Sequence, residues 1–217
     1  MTSYSFLNRH WIGHLGDAAR LALQAAMVPK RFDRGALLFS RGEAPEGLYV
    51  VSEGSALLYL FGHSGRRLLL DILHQGDMIG ETFAFDGRSA TVSVEARTDL
   101  ATLLVPAHRL ATLSERFPEI RLSLAKATAA NFRGVLTLLE EQVLMSLRKR
   151  TVHRLKRLCH AQGMQPVVTL SLTQSELAMM VGASRQAVNQ VLAELEECGA
   201  INRRFQNIEC RVAQLDK

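Results

Sequence analysis

Cysteine is scarce in this chain. Cys159, Cys198 and Cys210 are the three present among 217 residues, widely separated and odd in number. No CxxC pair occurs, so neither a disulfide framework nor a cysteine-ligated cluster is expected, and the thiols read as small apolar side chains of a reduced, cytoplasmic protein. No apolar run approaches the roughly 18 residues of a membrane span. The first residues, MTSYSFLNRHWIGHL, lack a basic segment followed by an apolar one, so no signal peptide is expected and no membrane partner. Also missing are a nucleophile-and-base constellation, a metal-ligand cluster and a Gly-rich loop opening a helix, which leaves little to support an enzyme. His10 and His14 stand at i, i+4 spacing but lack an evident third ligand.

What is present is an uneven charge. The formal net charge is +5, and residues 147–217 carry 11 Lys or Arg against 6 Asp or Glu, while residues 1–146 carry 15 of each. The basic excess is therefore confined to the C-terminal third, the electrostatic footprint of a nucleic-acid module attached to a neutral domain. A solvated basic face would produce the same count.

Residues 172–195 show what that module is. Thr173 and Glu176 have capping-box spacing. Leu177, Ala178 and Val181 form a small apolar face, and Gly182 suits the left-handed end of a helix. Ser184 can cap a second helix, in which Val188, Val191, Leu192 and Leu195 recur at helical spacing. Arg185, Gln186, Asn189 and Gln190 then fall on the outer face, where each can hydrogen-bond to base edges or phosphates. The pattern is that of a helix-turn-helix; an ordinary helical hairpin with a polar face is the plainer alternative. Residues 201–205 and 208–212, turned at Gln206-Asn207, read as a wing whose Arg203, Arg204 and Arg211 can meet phosphates.

Before this module the chain changes texture twice. Residues 3–27 read as two short helices with Leu7, Trp11, Leu15, Leu21, Leu23 and Met27 as the apolar set, Asp17 capping the second, and Pro29 ending the part. Residues 30–105 alternate short apolar runs (36–39, 47–52, 55–61, 67–73, 90–96, 99–106) with glycine-rich breaks, which predicts a small barrel or sandwich. After a short helix over 106–117, a long one runs from Glu119 to about Ser146. Its stripe of Leu122, Ala125, Ala129, Phe132, Leu136, Leu139 and Val143 is heptad-like, and a weaker one holds Leu124, Val135, Leu138 and Met145. One stripe can cover the barrel while the other meets an identical helix; a single helix packed on its own domain is the alternative. In the helix after 147, Val152, Leu155, Leu158 and Cys159 are expected inside, with Arg154, Lys156 and Arg157 outside.

Nearly end to end, the chain resembles the Crp/Fnr superfamily of bacterial transcription regulators. The N-terminal half is similar to the cyclic-nucleotide-binding β-roll in Asp33-Arg34-Gly35, Arg41-Gly42-Glu43, Leu48-Tyr49-Val50-Val51, Glu53-Gly54-Ser55 and Gly76-Asp77-Met78-Ile79-Gly80-Glu81. The C-terminal half is similar to the family's winged helix in Leu177-Ala178, Val181-Gly182-Ala183-Ser184-Arg185 and Val188. The resemblance implies an α+β protein: a jelly-roll-like β-roll with a long dimerisation helix (residues 1–146) and a winged helix-turn-helix (147–217). It also implies a homodimer controlled by a small-molecule effector, with double-stranded DNA and RNA polymerase as partners. A cyclic-nucleotide-binding module acting through protein contacts is the alternative function.

The resemblance also assigns residues. Gly80, Glu81, Thr82, Arg88 and Ser89 fall in the phosphate-binding cassette, where Glu81 can accept from a ribose hydroxyl and Arg88 can pair with a cyclic phosphate such as that of cyclic AMP. The interval from Glu81 to Arg88 is shorter than in nucleotide-binding members, and Arg88 paired structurally with Glu81 is the competing reading. Leu136 and Thr137 align with the adenine-holding Thr-Ser pair, so Thr137 keeps one hydroxyl. The cysteine cluster of the family's iron–sulfur sensors is missing. His10, His14, His63 and His74 offer no spacing that marks a haem ligand. On the DNA side, Arg185 falls on the family's guanine-contacting Arg, Gln186 where Glu is common, and Gln190 where Arg is frequent. Thr173, Gln174 and Ser184 are expected near phosphates.

Overall fold

The computed structural model describes residues 11–62, 65–163 and 165–215. They fall into two compact units that part between Arg133 and Gly134, with Arg66–Leu69 counted to the second. The class is α+β, as the sequence implied.

The first unit begins with a 3-10 turn, Ile12–His14, and helix α1, Asp17–Ala26. Asp17 is the first helical residue and Gly16 occupies the cap, so the expected Asp17 cap is corrected by one position. Trp11, Leu15, Ala19 and Leu23 are buried, whereas Leu21 is 63% exposed and does not join the core. Leu21 sits two residues from both Ala19 and Leu23, roughly 200° around the helix from each.

Eight strands follow: β1 (Val28–Phe32), β2 (Leu37–Phe39), β3 (Gly47–Glu53), β4 (Ala56–Phe61), β5 (Arg67–Leu73), β6 (Met78–Ile79), β7 (Ser93–Ala96) and β8 (Leu100–Pro106). They make two four-stranded sheets, ordered β1-β8-β3-β6 and β2-β7-β4-β5. Pro29 does not end this part of the chain but lies inside β1, opposite Leu103. An edge strand tolerates a residue without an N–H because one side of it faces no partner. In β3 five successive residues are buried because both faces are covered. Leu48 and Val50 pack into a cluster with Trp11, Leu23, Leu110, Ile120 and Leu124, while Tyr49 meets the rings of Phe32 and Phe39 on the other side.

Between β6 and β7 lies the short helix α2 (Glu81–Asp86), and after β8 come α3 (Ala107–Arg116) and α4 (Pro118–Leu144). Along α4 the two faces differ. Ile120, Leu124 and Ala127 are buried in the first unit's core, and Leu138 is buried further along. The heptad-like stripe instead leaves Leu122, Phe132, Leu136, Leu139 and Val143 each about half exposed or more.

The second unit contains the last turns of α4, then α5 (Leu147–Ala161), β9 (Val167–Leu170), α6 (Gln174–Val181), α7 (Arg185–Glu197), β10 (Ile201–Arg204) and β11 (Asn207–Arg211). The three strands pair antiparallel in the order β10-β11-β9. Arg154 and Arg157, expected outside α5, are buried. The Arg157 guanidinium donates to Glu141 on α4 at 3.0 Å, and Nδ1 of His153 lies 2.8 Å from the same carboxylate oxygen. Gln142 Nε2 donates to the Met180 carbonyl at 3.3 Å. These bonds attach residues 134–144 to the second unit, which is why the division falls within α4 rather than at its end.

Candidate nucleic-acid interface and effector cassette

Helix α6 is started by the expected capping box. Thr173 Oγ1 accepts from the Glu176 N–H at 3.1 Å, and the Thr173 N–H donates to the Glu176 carboxylate at 2.7 Å. The Thr173 hydroxyl also donates to that carboxylate at 2.8 Å. Its proton is thereby committed inside the box, and the donor expected for a phosphate is not free. Gln174, the first helical residue, is partly exposed and Ser175 is exposed. The helix ends on Gly182 in a left-handed conformation, φ 64°. Leu177, Ala178 and Val181 are buried.

Ser184 caps α7 by accepting from the Ala187 N–H at 3.2 Å, and its hydroxyl still has a proton to donate. Val188, Val191, Leu192 and Leu195 are buried as their spacing required. Arg185, Gln186 and Gln190 are exposed and share the outer face. Asn189 is different: it is partly buried, and its Oδ1 is enclosed without a hydrogen-bond partner. Around the helix it lies between Arg185 and Gln186, about 40° from the first and about 60° from the second, so it belongs to the same face but is less exposed than they are. Three side chains rather than four form the exposed row.

The wing departs from expectation in its turn. Arg204 pairs with Asn207, leaving Phe205 and Gln206 as the two-residue loop, with Gln206 left-handed at φ 59°. Its arginines also differ in kind. The Arg203 N–H and guanidinium both bond Glu196 on α7, at 2.8 and 2.7 Å. These bonds hold the Glu196 carboxyl below its ordinary value. Arg203 therefore fastens the wing to α7 through Nε and Nη2, and it also lines the groove beside Arg185. Arg204 is 66% exposed and only loosely approached by Glu209, at 3.8 Å. Arg211 donates to the Gly199 carbonyl at 3.2 Å. Thr173, Gln174, Ser175, Arg185, Arg204 and Phe205 share the lining of a groove of about 340 Å³ between the helix starts and the wing.

In the first unit the cassette begins at Gly80, φ 92°, where a Cβ would come within 2.7 Å of the Gly47 carbonyl oxygen. Only glycine meets both conditions without a shift. Glu81 opens α2 and is partly buried; its carboxylate accepts from Asn131 Nδ2 on α4 at 2.9 Å. Burial pushes its carboxyl above the ordinary range, against hydrogen bonds from backbone N–H groups and from Asn131. Asn131 was not anticipated, since nothing in sequence marks an Asn 50 residues away as the partner of Glu81. Arg88 is 87% exposed and sits 3.9 Å from Asp86, so its pairing with Glu81 is not seen. Thr82 and Ser89 are exposed on the same segment. Thr137, partly buried on α4, is counted with the second unit.

Among the described residues no group of His, Cys, Asp and Glu could hold a metal, and no helix is long and apolar enough to cross a membrane. His10, His63 and the side chain of His14 lie outside the described residues. Cys159 and Cys210 are buried and Cys198 is exposed; all three are free thiols.

Comparison with known proteins agrees with this geometry. Residues 29–117 match the family described as cyclic nucleotide-binding domain, and residues 100–216 match the Crp-like helix-turn-helix domain. A relative from Mycobacterium tuberculosis (strain ATCC 25618 / H37Rv), a CRP-like cAMP-activated global transcriptional regulator, is 31% identical over 188 residues, covering 85% of this chain and 84% of its own. The cAMP-activated global transcriptional regulator CRP of Escherichia coli O157:H7 is 28% identical over 177 residues, covering 76% and 80%. Among solved structures, the c-di-GMP responsive global regulator CLP of Xanthomonas campestris superposes with a TM-score of 0.78 at 20% identity, covering 90% of this chain and 99% of its own.

Proposed function

The chain belongs to the Crp/Fnr family of transcription regulators, and from that premise we propose how its residues divide the work of a DNA-binding regulator. Family membership favours this reading over a module acting through protein contacts alone, and over an enzyme. Residues 147–217 bind double-stranded DNA, and residues 1–146 sense an effector and pair two copies of the chain. The observation that carries the DNA reading is the exposed row Arg185, Gln186 and Gln190 on α7, beside a wing braced to the same helix. Arg185 supplies a bidentate donor for guanine O6 and N7, and Gln186 suits adenine N6 and N7. Ser184 and Arg204 add phosphate contacts, which position the protein without reading sequence.

Two copies would present two α7 helices to successive major grooves of a roughly palindromic site. The exposed apolar stripe of α4, with Phe132, Leu136, Leu139 and Val143, is the surface for that pairing, since burying it removes apolar area from water. RNA polymerase is the partner through which such a regulator would act. Duplexes selected from a random pool test the base reading: Gln186→Glu should shift the preferred base at one pair per half-site and leave the others. An unchanged selection would remove Gln186 from the reading.

For the effector, the cassette chemistry suits a cyclic nucleotide, with Glu81 accepting from a ribose hydroxyl and Arg88 pairing with the phosphate. Glu81 is engaged already by Asn131, so a ligand must compete with or share that contact, whereas Arg88 is largely exposed and only loosely approached by Asp86. Effector binding would then shift the population between two dimer states. Calorimetric titration with cyclic AMP and cyclic GMP, with Arg88→Ala as control, tests this. No heat from either nucleotide would move the assignment to another ligand class.

A further inference from the structure

The wing carries a side chain that neither the core nor the base-reading row uses. Phe205 is 89% exposed, more than any other large apolar residue among those described. It stands at the tip of the β10–β11 hairpin because Arg204 pairs with Asn207 and Gln206 takes the left-handed turn position. Arg204 precedes it with a largely exposed guanidinium. The hairpin is not free to swing away from α7, because Glu196 on that helix holds both the backbone and the guanidinium of Arg203. Phe205 also lines the same groove as Arg185, Thr173 and Gln174. An apolar ring, a neighbouring cation and a fixed position beside the recognition helix thus occur together.

We propose that Phe205 is a specificity-determining residue for DNA, packing its ring against the sugar edges of the minor groove that flanks the half-site read by α7. This deepens the reading of α6 and α7 as the DNA-facing pair, and rests on it. A two-residue hairpin tip is slender, and the minor groove is about 6 Å wide in ordinary duplex. An apolar ring lodged there leaves water for the carbon atoms that line the groove. A·T-rich flanks narrow the groove and deepen its negative potential, which draws the adjacent Arg204 inward. The preference arises at base pairs that α7 does not touch.

The test uses the full chain and duplexes that carry half-sites selected by the parent protein, with flanks made either A·T-rich or G·C-rich. In fluorescence anisotropy, Phe205→Ala should lose about tenfold in affinity for A·T flanks and little for G·C flanks. Its salt dependence should match the parent, since no charge is removed. Arg204→Ala should instead lower the slope of log K against log salt by about one on both duplexes. Phe205→Leu keeps an apolar tip and should restore part of the discrimination. Equal affinity of parent and Phe205→Ala on both duplexes overturns the proposal and turns the ring toward a protein partner. Equal loss on both flanks also overturns it, as a flank-independent effect. If the parent itself fails to distinguish selected from random duplex, the base-reading row fails, and that outcome is separable because it appears without any change at Phe205.

Discussion

Arg203 and Arg204 are neighbours in sequence with opposite employment. The first is bound by Glu196 through its backbone and its guanidinium, while the second projects into solvent. Arg203→Ala should therefore loosen the wing, costing on the order of 1 kcal/mol of stability for a partly exposed pair, and leave the salt slope of DNA binding nearly unchanged. A slope reduced as much as by Arg204→Ala would return Arg203 to the phosphates. The same pair sets a pH dependence. Because Arg203 lowers the Glu196 carboxyl below its ordinary 4.5, the pair's stabilisation is fully present above that value. It is lost as pH falls through the lower, folded-state value. Wing proton chemical shifts followed by NMR from pH 6 downward should hold to below 4.5 in the parent and move earlier in Arg203→Ala. Glu81 has the opposite sign: burial raises its carboxyl, so its ionised form costs stability at high pH and the cost fades as pH falls.

Helix α4 is the element on which both units depend. Its first turns belong to the β-roll core through Ile120, Leu124 and Ala127, and its last turns are bound to α5 and α6 through Glu141 and Gln142. Glu141 and Arg157 are both almost fully buried. Glu141→Ala removes the buried carboxylate that Arg157 and His153 share, and should destabilise the second unit by about 3 kcal/mol in chemical denaturation. A loss below 1 kcal/mol would mean that the charge is solvated after all. On the outer face, Leu139→Asp should convert a dimer to monomers in sedimentation at micromolar concentration; a dimer that persists would move the pairing surface off this stripe.

The repeat of this stripe was legible in the sequence, as were the capping box, the buried face of α7 and most strands. Local periodicity encodes them directly. What escaped depended on distant partners or on sheet position. Pro29 looked like a terminator and is a strand residue only because β1 is an edge. Asn207 looked like a turn residue by type, yet pairing with Arg204 shifted the turn to Phe205-Gln206. Arg157 looked solvent-facing because its partner, Glu141, lies 16 residues earlier on another helix. Likewise Glu81 and Arg88 were legible as a cassette, but their present partners, Asn131 and Asp86, were not.

For the whole molecule, the charge excess of residues 147–217 remains a sound guide to the partner, although not every basic residue contributes to it equally. Arg154 and Arg157 are buried and Arg203 is paired, which leaves the field of the DNA-facing side to fewer side chains than the count of 11 suggests. Affinity should therefore show a moderate salt slope, with specificity resting on the exposed row of α7. The most direct test of this account is anisotropy of the parent and Arg185→Ala on a selected duplex and on a random one. The expected result is a loss of about 1–3 kcal/mol on the selected duplex and a much smaller change on the random one. Equal losses on both would contradict it, because Arg185 would then be contributing only charge.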